Sequence, residues 1–539
     1  LLVDSMTQPA WRRSIVAAIQ GGDFARVALV VRNDAPQPSL STAEKLRLHR
    51  AQLLHLLYRR VDDRLFPVHP DAFAPGDIGP LVDGVPVMGV VPRMTRFCDH
   101  LDDATVDAIR AHDVDVAVRF GFRIIKGRFL EVARHGIWSY HHADNRVNRG
   151  LPGGFWEVMR DEPVTGAVLQ VLTDELDAGR VIHRGFVATD PASVRRNRNR
   201  LFWTSAAFLP RRLRELHRDG PDALRDRDGD DGAWTPYSAR LYTNPGNGEM
   251  LRLAPPFAVR ALARAVGRRA RPGRGAVLFH LGRDEGAPAR TFYRFRELAA
   301  PAGRAWHDPS PFARGGAHHV FVAERPVRGG AATLRVAAVG PQGHGGDVRT
   351  LEGVDGPHAS PLVFAWDGEV HLVARSETDG ALHRWRAVDF PVRWEHAGPV
   401  LPGADASFPA LVARDGRWWL FATVRPPGGT PFDELHLFHA PTPLGPWEAH
   451  RRNPVLSDVR AAAPAGIPFV WNGALYRPAA DGSTVPRAAL AVRRVERMDA
   501  EEYRESGAAV VAPDWRPGLT GVRTLSAAGG LTVVGVTLR

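Results

Sequence analysis

Two stretches hold the residues with which this chain could do chemistry. Residues 139–147 read SYHHADNRV and close the apolar run EVARHGIW, so two histidines, an aspartate, an asparagine and an arginine stand where a strand should end. Residues 171–182 read VLTDELDAGRVI and set Asp174, Glu175 and Asp177 in a turn between two strand-like runs. Side chains alternate along a strand, so Ser139 and His141 share one face while Tyr140 and His142 take the other. A histidine at a strand end with a carboxylate in a neighbouring loop suits general acid–base work or the stabilisation of an oxyanion. A metal site built on His141, His142 and Asp144 is disfavoured, because adjacent histidines on a strand point apart. No metal is expected.

The elements that must position these groups are legible up to about residue 218. Helical and strand-like patterns alternate. LLVD reads as a strand, and PAWRRSIVAAIQ as a helix with proline in its first turn. ARVALVVRND reads as a strand, followed by the helix LRLHRAQLLHLLYRRV. LDDATVDAIRAHD is a helix whose early aspartates suit its positive end. VDVAVRF is a valine-rich strand, apolar on both faces as buried parallel strands are. A short helix, GRFLEVARHG, leads to the strand IWSYHH; two more strands, TGAVLQVLT and VIHRGFVAT, precede one long helix from Ser193 to Gly220. Such alternation predicts an open α/β domain over 1–218, with reactive groups at the strands' C-terminal ends.

Residues 219–272 form a charged, glycine-broken connector with one arginine-rich helix between prolines. Beyond 273 a different pattern starts. WHDPSPFARGGAHHVFVAER, HASPLVFAWDGEVHLVARSE, SFPALVARDGRWWLFAT and APAGIPFVWNGALYRPA share one layout. A small or polar residue and a proline precede an apolar strand, and a GG, DG or NG turn leads to a second strand. The final hairpin, LTGVRTLSAAGGLTVVGVTL, is suited to close a ring. Four units and a fifth assembled from both ends predict an all-β five-bladed propeller over 273–539.

The chain of 539 residues is long enough for two or three domains. It is 44% hydrophobic and 24% charged, with no apolar stretch of bilayer length and no signal-peptide layout. Cys98 is the single cysteine, which leaves no intramolecular disulfide and no cysteine-based zinc site. These features predict a cytoplasmic protein without a membrane partner. The net charge of +11 invites a nucleic-acid reading. Yet only Lys45 and Lys126 are lysines, an arginine bias that reads as genome composition. The run VRRNRNR at 194–200 reads as a solvated helix start, so no nucleic-acid partner is expected.

Three segments between 113 and 215 resemble the catalytic core of the 10-formyltetrahydrofolate-dependent formyltransferases: FGFRIIKGRFL (120–130), SYH (139–141) and TGAVLQVLTDELDAGRVI (165–182). The resemblance implies a Rossmann-like fold and formyl transfer to an amine. It assigns His141 to the oxyanion and Asp174 to orienting that histidine, with Ser139 where the family has asparagine. It also implies 10-formyltetrahydrofolate as co-substrate, its pterin held by Arg123, Ile124, Ile125, Thr173, Glu175, Leu176 and Asp177. The loop DSMTQPAW lacks phosphate-cradling glycines, which argues against a nucleotide phosphate bound there.

The C-terminal region resembles five-bladed glycosidase propellers and, more closely, the N-terminal domain of plant glucosamine inositolphosphorylceramide transferases. WHDP (306–309) is similar to the Asp-Pro opening the first glycosidase blade, which would make Asp308 a base or nucleophile. Glu324 and Glu377 are the carboxylates available as its partner, and ALYRPAAD (474–481) adds Arg477 and Asp481 to the expected pocket. No Glu-Gly-Pro acid motif opens a blade, so carbohydrate binding is expected and hydrolysis is not. Together these resemblances imply an N-formyltransferase acting on an amino sugar or another amine-bearing small molecule, with the propeller binding carbohydrate. The alternative is a formyltransferase-like scaffold without formyl transfer, whose propeller binds glycans.

Overall fold

The computed structural model describes residues 1–36, 41–95, 97–175, 179–224, 237–270, 273–282, 286–340, 345–483 and 489–539. The chain divides into two compact units: Leu1–Ala261 with Pro427–Gly429, and Leu262–Pro426 with Thr430–Arg539.

A seven-stranded mixed sheet organises the first unit. Its order is Arg180–Ala188, Val164–Val171, Ile137–His141, Ala117–Arg119, Leu2–Val3, Val30–Asn33, Val87–Val90. The last five run parallel. The first two form an antiparallel hairpin added beside Ile137–His141. Leu2, Val3, Val30 and Val31 are buried, as parallel strands covered on both faces require. On one face the helix Ala10–Gln20 inserts Trp11, Ile15, Val16 and Ile19 into a core with Val3, Val30 and Trp138. On the other, Asp103–Arg110 brings Val106 and Ile109 against Leu2, Val31 and Ile137. Asp102 caps that helix by accepting the Thr105 amide at 2.7 Å.

Three details depart from the sequence reading. The edge strand Val87–Val90 was not expected, because a short and largely exposed segment shows no hydrophobic alternation. The long closing helix is two helices, Val194–Ala206 and Phe208–Asp219. Pro210 lacks an N–H and stands in the first turn of the second, where none is needed; the adjacent Leu209 amide donates to the Tyr140 hydroxyl at 3.1 Å. The helix of the connector starts earlier, at Asn247, and runs through Pro255 and Pro256 to Ala270. The Asn247 side chain anchors that start by accepting the Leu54 amide at 3.0 Å and donating to the Arg50 carbonyl at 2.8 Å.

Among the described residues the second unit holds five antiparallel sheets. The first four blades begin at Arg304, His358, Ala406 and Ala463. The fifth joins the hairpin Leu519–Ala528/Leu531–Leu538 to the early strands Arg274–Leu281 and Arg296–Leu298, with Arg274 opposite Leu538 and Leu281 opposite Leu531. Each blade packs on the next and the last on the first, which closes the ring. Closure between the two ends removes an exposed sheet edge. The turns Gly315-Gly316, Asp367-Gly368, Asp415-Gly416, Asn472-Gly473 and Gly529-Gly530 all place both residues at positive φ. That is the two-residue type I′ hairpin expected from the repeat.

Candidate functional site

The expected reactive strand end is largely engaged by the protein itself. His141 is buried, and its Nε2 donates to the Asn148 carbonyl at 2.9 Å. Asp174 is exposed and accepts the Gly127 amide at 3.3 Å. The two residues expected to act together are thus each tied to a main-chain group. Ser139 is buried in the sheet and accepts from Arg119 Nη1 at 3.2 Å. Asn148 Nδ2 in turn lies 3.5 Å from the buried Glu157, whose carboxyl burial pushes up to about 7.

The expected pterin loop is occupied in the same way. Arg123 donates from Nε to Asp99 at 2.9 Å, and its amide donates to the same carboxylate at 2.7 Å. Ile124 and Ile125 pair in parallel with Cys98 and Asp99, so their main chain already serves a small sheet. The Thr173 hydroxyl donates to the Glu175 carbonyl at 3.4 Å. Leu176 and Asp177 lie outside the described residues. The polar run after His141 is structural as well. His142 stacks on Phe202 with ring centroids 3.6 Å apart, and burial drives its imidazole well below its ordinary pKa. Asp144 pairs with Arg184 and Arg146. Among the described residues no group of three His, Cys, Asp or Glu is placed to hold a metal ion.

In the propeller the five innermost strands converge on a narrow cavity of about 40 Å³, lined in part by Asp308, Ser360, Phe408, Gly466, Thr524 and Ser526. The first three blades deliver these residues by one device. Asp308, Ser360 and Phe408 have φ of 50°, 52° and 55°, and each precedes a proline. Pairing with the second strand slips at the same place in each blade. A bulge of this kind bends a strand and re-aims its side chain. Gly466, at φ 139°, lines the cavity from the fourth blade, where a Cβ would stand 1.9 Å from the Leu525 carbonyl oxygen.

Asp308 accepts the Ser360 hydroxyl at 3.0 Å. Burial pushes the Arg523 guanidinium down while Asp481 and Asp308 pull it up, so both carboxylates face that cation. Burial also pushes His307 down, against the attraction of Asp308. The Phe408 ring lies 5.2 Å from that of Phe432. Cleaving a glycoside requires two carboxyl groups flanking the bond. Here the positions equivalent to Asp308 carry a hydroxyl and a phenyl ring. Ser360 and Phe408 were missed by the sequence reading, although aligning HDPS, ASPL and SFPA on their prolines puts all three in register.

Three other expected pocket residues belong to the blades' interior. Glu324, on the second strand of its blade, accepts the Trp306 indole at 2.9 Å and Arg335 Nε at 3.2 Å. Glu377 is gripped by Arg325 and accepts the Ala332 amide at 3.2 Å. Arg477 is fully buried and chelates Glu505 at 2.7 and 3.0 Å. Each carboxylate or guanidinium is consumed by a cross-strand or interblade pair, and none of the three lines the axial cavity.

Residues 354–516, from the second through the fourth blade, match the family described as glucosamine inositolphosphorylceramide transferase 1, N-terminal. The rice protein of that name (Oryza sativa subsp. japonica) is 32% identical over 150 residues, covering 27% of this chain and 20% of its own. This chain therefore spans about a fifth of the length of the curated relative. Among solved structures, a family 117 glycoside hydrolase of Zobellia galactanivorans aligns at 14% identity and TM-score 0.33, over 48% of this chain and 90% of its own. Glycinamide ribonucleotide transformylase 1 of Symbiobacterium toebii aligns at 18% identity and TM-score 0.27, over 40% of this chain and 86% of its own.

The curated relatives correct the functional expectation. They are named as glucosamine inositolphosphorylceramide transferases, a different class of transferase from a folate-dependent N-formyltransferase. The expected 10-formyltetrahydrofolate is withdrawn with that activity, since their names specify a sugar and a ceramide and no formyl group. The cytoplasmic expectation is withdrawn too, because it rested on composition while the relatives are named for a lipid. Among the described residues no helix is long and apolar enough to cross a membrane.

Proposed function

We propose that this chain recognises a saccharide of the amino-sugar class at the axial mouth of its propeller, within a sugar-transferring system. One observation carries the reading: the bulged positions of successive blades present Asp308, Ser360 and Phe408 together at the axis. A carboxylate accepts hydrogen bonds from sugar hydroxyls or an ammonium group, a hydroxyl adds a second polar contact, and a phenyl ring offers an apolar face. An axial carboxylate engaged by the Ser360 hydroxyl and by the charge of Arg523 suits binding better than hydrolysis. The names of the curated relatives support both the sugar and the transfer. The five parallel strands of the first unit support reading it as a Rossmann-like scaffold.

Calorimetric titration of the full chain with glucosamine and glucose tests the proposal. Asp308→Asn keeps the backbone, because asparagine tolerates the left-handed region. Loss of a charge-assisted contact worth about 1.5–3 kcal/mol weakens glucosamine binding roughly 10- to 100-fold. Glucose binding changes less. Absence of saturable binding to either sugar, or equal binding by the variant, overturns the assignment.

A further inference from the structure

A cavity of about 320 Å³ lies within the first unit, reaching from His141 to the helix Val194–Ala206. Its walls carry a cationic excess. Arg195 has its counter-charges, pairing through its Nη atoms with Asp63 at 3.1 Å and Asp71 at 2.7 Å while its amide donates to Asp62 at 2.7 Å. Arg198 and Arg59 have none. Neither makes a hydrogen bond or ion pair to any described residue. Arg198 lies over the Phe73 ring at 4.9 Å and Phe202 at 5.7 Å, with its Nε buried and without a partner. His55, also on the wall, is buried with an unpartnered Nδ1.

The electrostatics agree with this geometry. Arg198 is held down at about 10, by burial first and then by neighbouring Arg59, with Asp63 opposing. Burial, then Arg59 and Arg198, holds His55 at about 4, so the imidazole is neutral at physiological pH. Burial pushes Asp62 up, which weakens it as a counter-charge. A partly buried guanidinium such as Arg198, held without a paired counter-charge, is costly. A ligand that neutralises it recovers that cost.

We propose that this cavity binds the phosphate group of a small molecule, with Arg198 and Arg59 as the contacting cations and His55 as a hydrogen-bond partner. A phosphate monoester carries about −1.5 to −2 charge at pH 7, which matches two unpaired arginines, whereas a carboxylate leaves one unbalanced. Guanidinium groups present a donor fork to phosphate oxygens. The volume suits a small ligand whose remainder extends toward Tyr140 and His141. This site lies wholly in the first unit and does not rest on the saccharide reading of the propeller.

Calorimetric titration of the full chain with inorganic phosphate, against acetate at equal ionic strength, tests it. Saturable phosphate binding is expected, with acetate at least tenfold weaker. Arg198→Gln and Arg59→Gln each reduce phosphate affinity at least tenfold; Arg59 is exposed, so its variant stays informative should the other fail to fold. Competition of inorganic phosphate by glucose 6-phosphate assigns the group to a soluble ester, and competition by phosphatidic acid vesicles assigns it to a lipid headgroup. No saturable binding at tens of millimolar phosphate, equal affinity for acetate, or unchanged binding in both variants overturns the proposal.

Discussion

Arg477→Met separates a structural arginine from a ligand-binding one. The side chain is fully buried and chelates Glu505, itself 3% exposed, while donating to the Ala461 carbonyl at 2.8 Å. Burial alone would push the Glu505 carboxyl up, but Arg477 overrides it and holds it below the ordinary glutamate range. Removing one member of a buried pair costs about 3–5 kcal/mol, because the other charge stays behind. Arg493 remains 3.0 Å from Glu505 and the Tyr503 hydroxyl still donates to it, so the lower end, about 3 kcal/mol, is expected. In a unit of this size that lowers Tm by roughly 6–12 °C. Because the folded pKa of Glu505 is depressed, its contribution is full above the unfolded glutamate value near 4.5 and fades as pH falls through the folded one. The deficit of the variant should therefore shrink in acid. Thermal melts followed by tryptophan fluorescence at pH 7 and pH 4 measure both effects, and Arg477→Met with Glu505→Leu should recover most of the loss. A single variant that melts like the parent yet loses saccharide binding refutes the reasoning and returns Arg477 to the site.

Glu157→Gln should stabilise the first unit at pH 8 by up to about 3 kcal/mol, the equivalent of a pKa raised from 4.5 to about 7, and leave it unchanged near pH 4.5. The sign follows because the unfolded chain ionises first, so stability falls as pH rises between those two values; urea melts at both pH values measure it. Gly466→Ala should destabilise the propeller by about 1–3 kcal/mol, since φ 139° is a glycine region and the new Cβ meets the Leu525 carbonyl. Gly416→Ala, at φ 72° with open space around it, should cost only about 1 kcal/mol. Chemical melts of the two variants side by side check that difference.

The propeller was legible because its signals are local. An Asp-Gly, Asn-Gly or Gly-Gly pair favours a type I′ turn whatever surrounds it, and five such turns leave few alternatives to stacked hairpins. The fate of charged residues was not legible, because it depends on partners distant in sequence. Glu377 meets an arginine from the preceding blade, and Glu505 reaches Arg477 across one intervening strand. A strand-end glutamate committed to an ion pair and one facing a ligand look alike until the strands are placed.

The first unit shows the same limit for motifs. The stretch TDELDAG resembled a catalytic signature, yet a loop signature specifies a backbone path and leaves the chemistry to the residues around it. Here those residues are engaged: Asp99 holds Arg123, and the Asn148 carbonyl holds His141. Arg59 and His55 lie in one helical run of the sequence and Arg198 in another that read as solvated surface, and nothing in either run marks them as facing one cavity. Burial makes the difference. An arginine on a solvated helix is satisfied by water, whereas Arg198, packed over Phe73 and Phe202 with its Nε buried and unpartnered, stands on a cavity wall beside Arg59 where an anion fits.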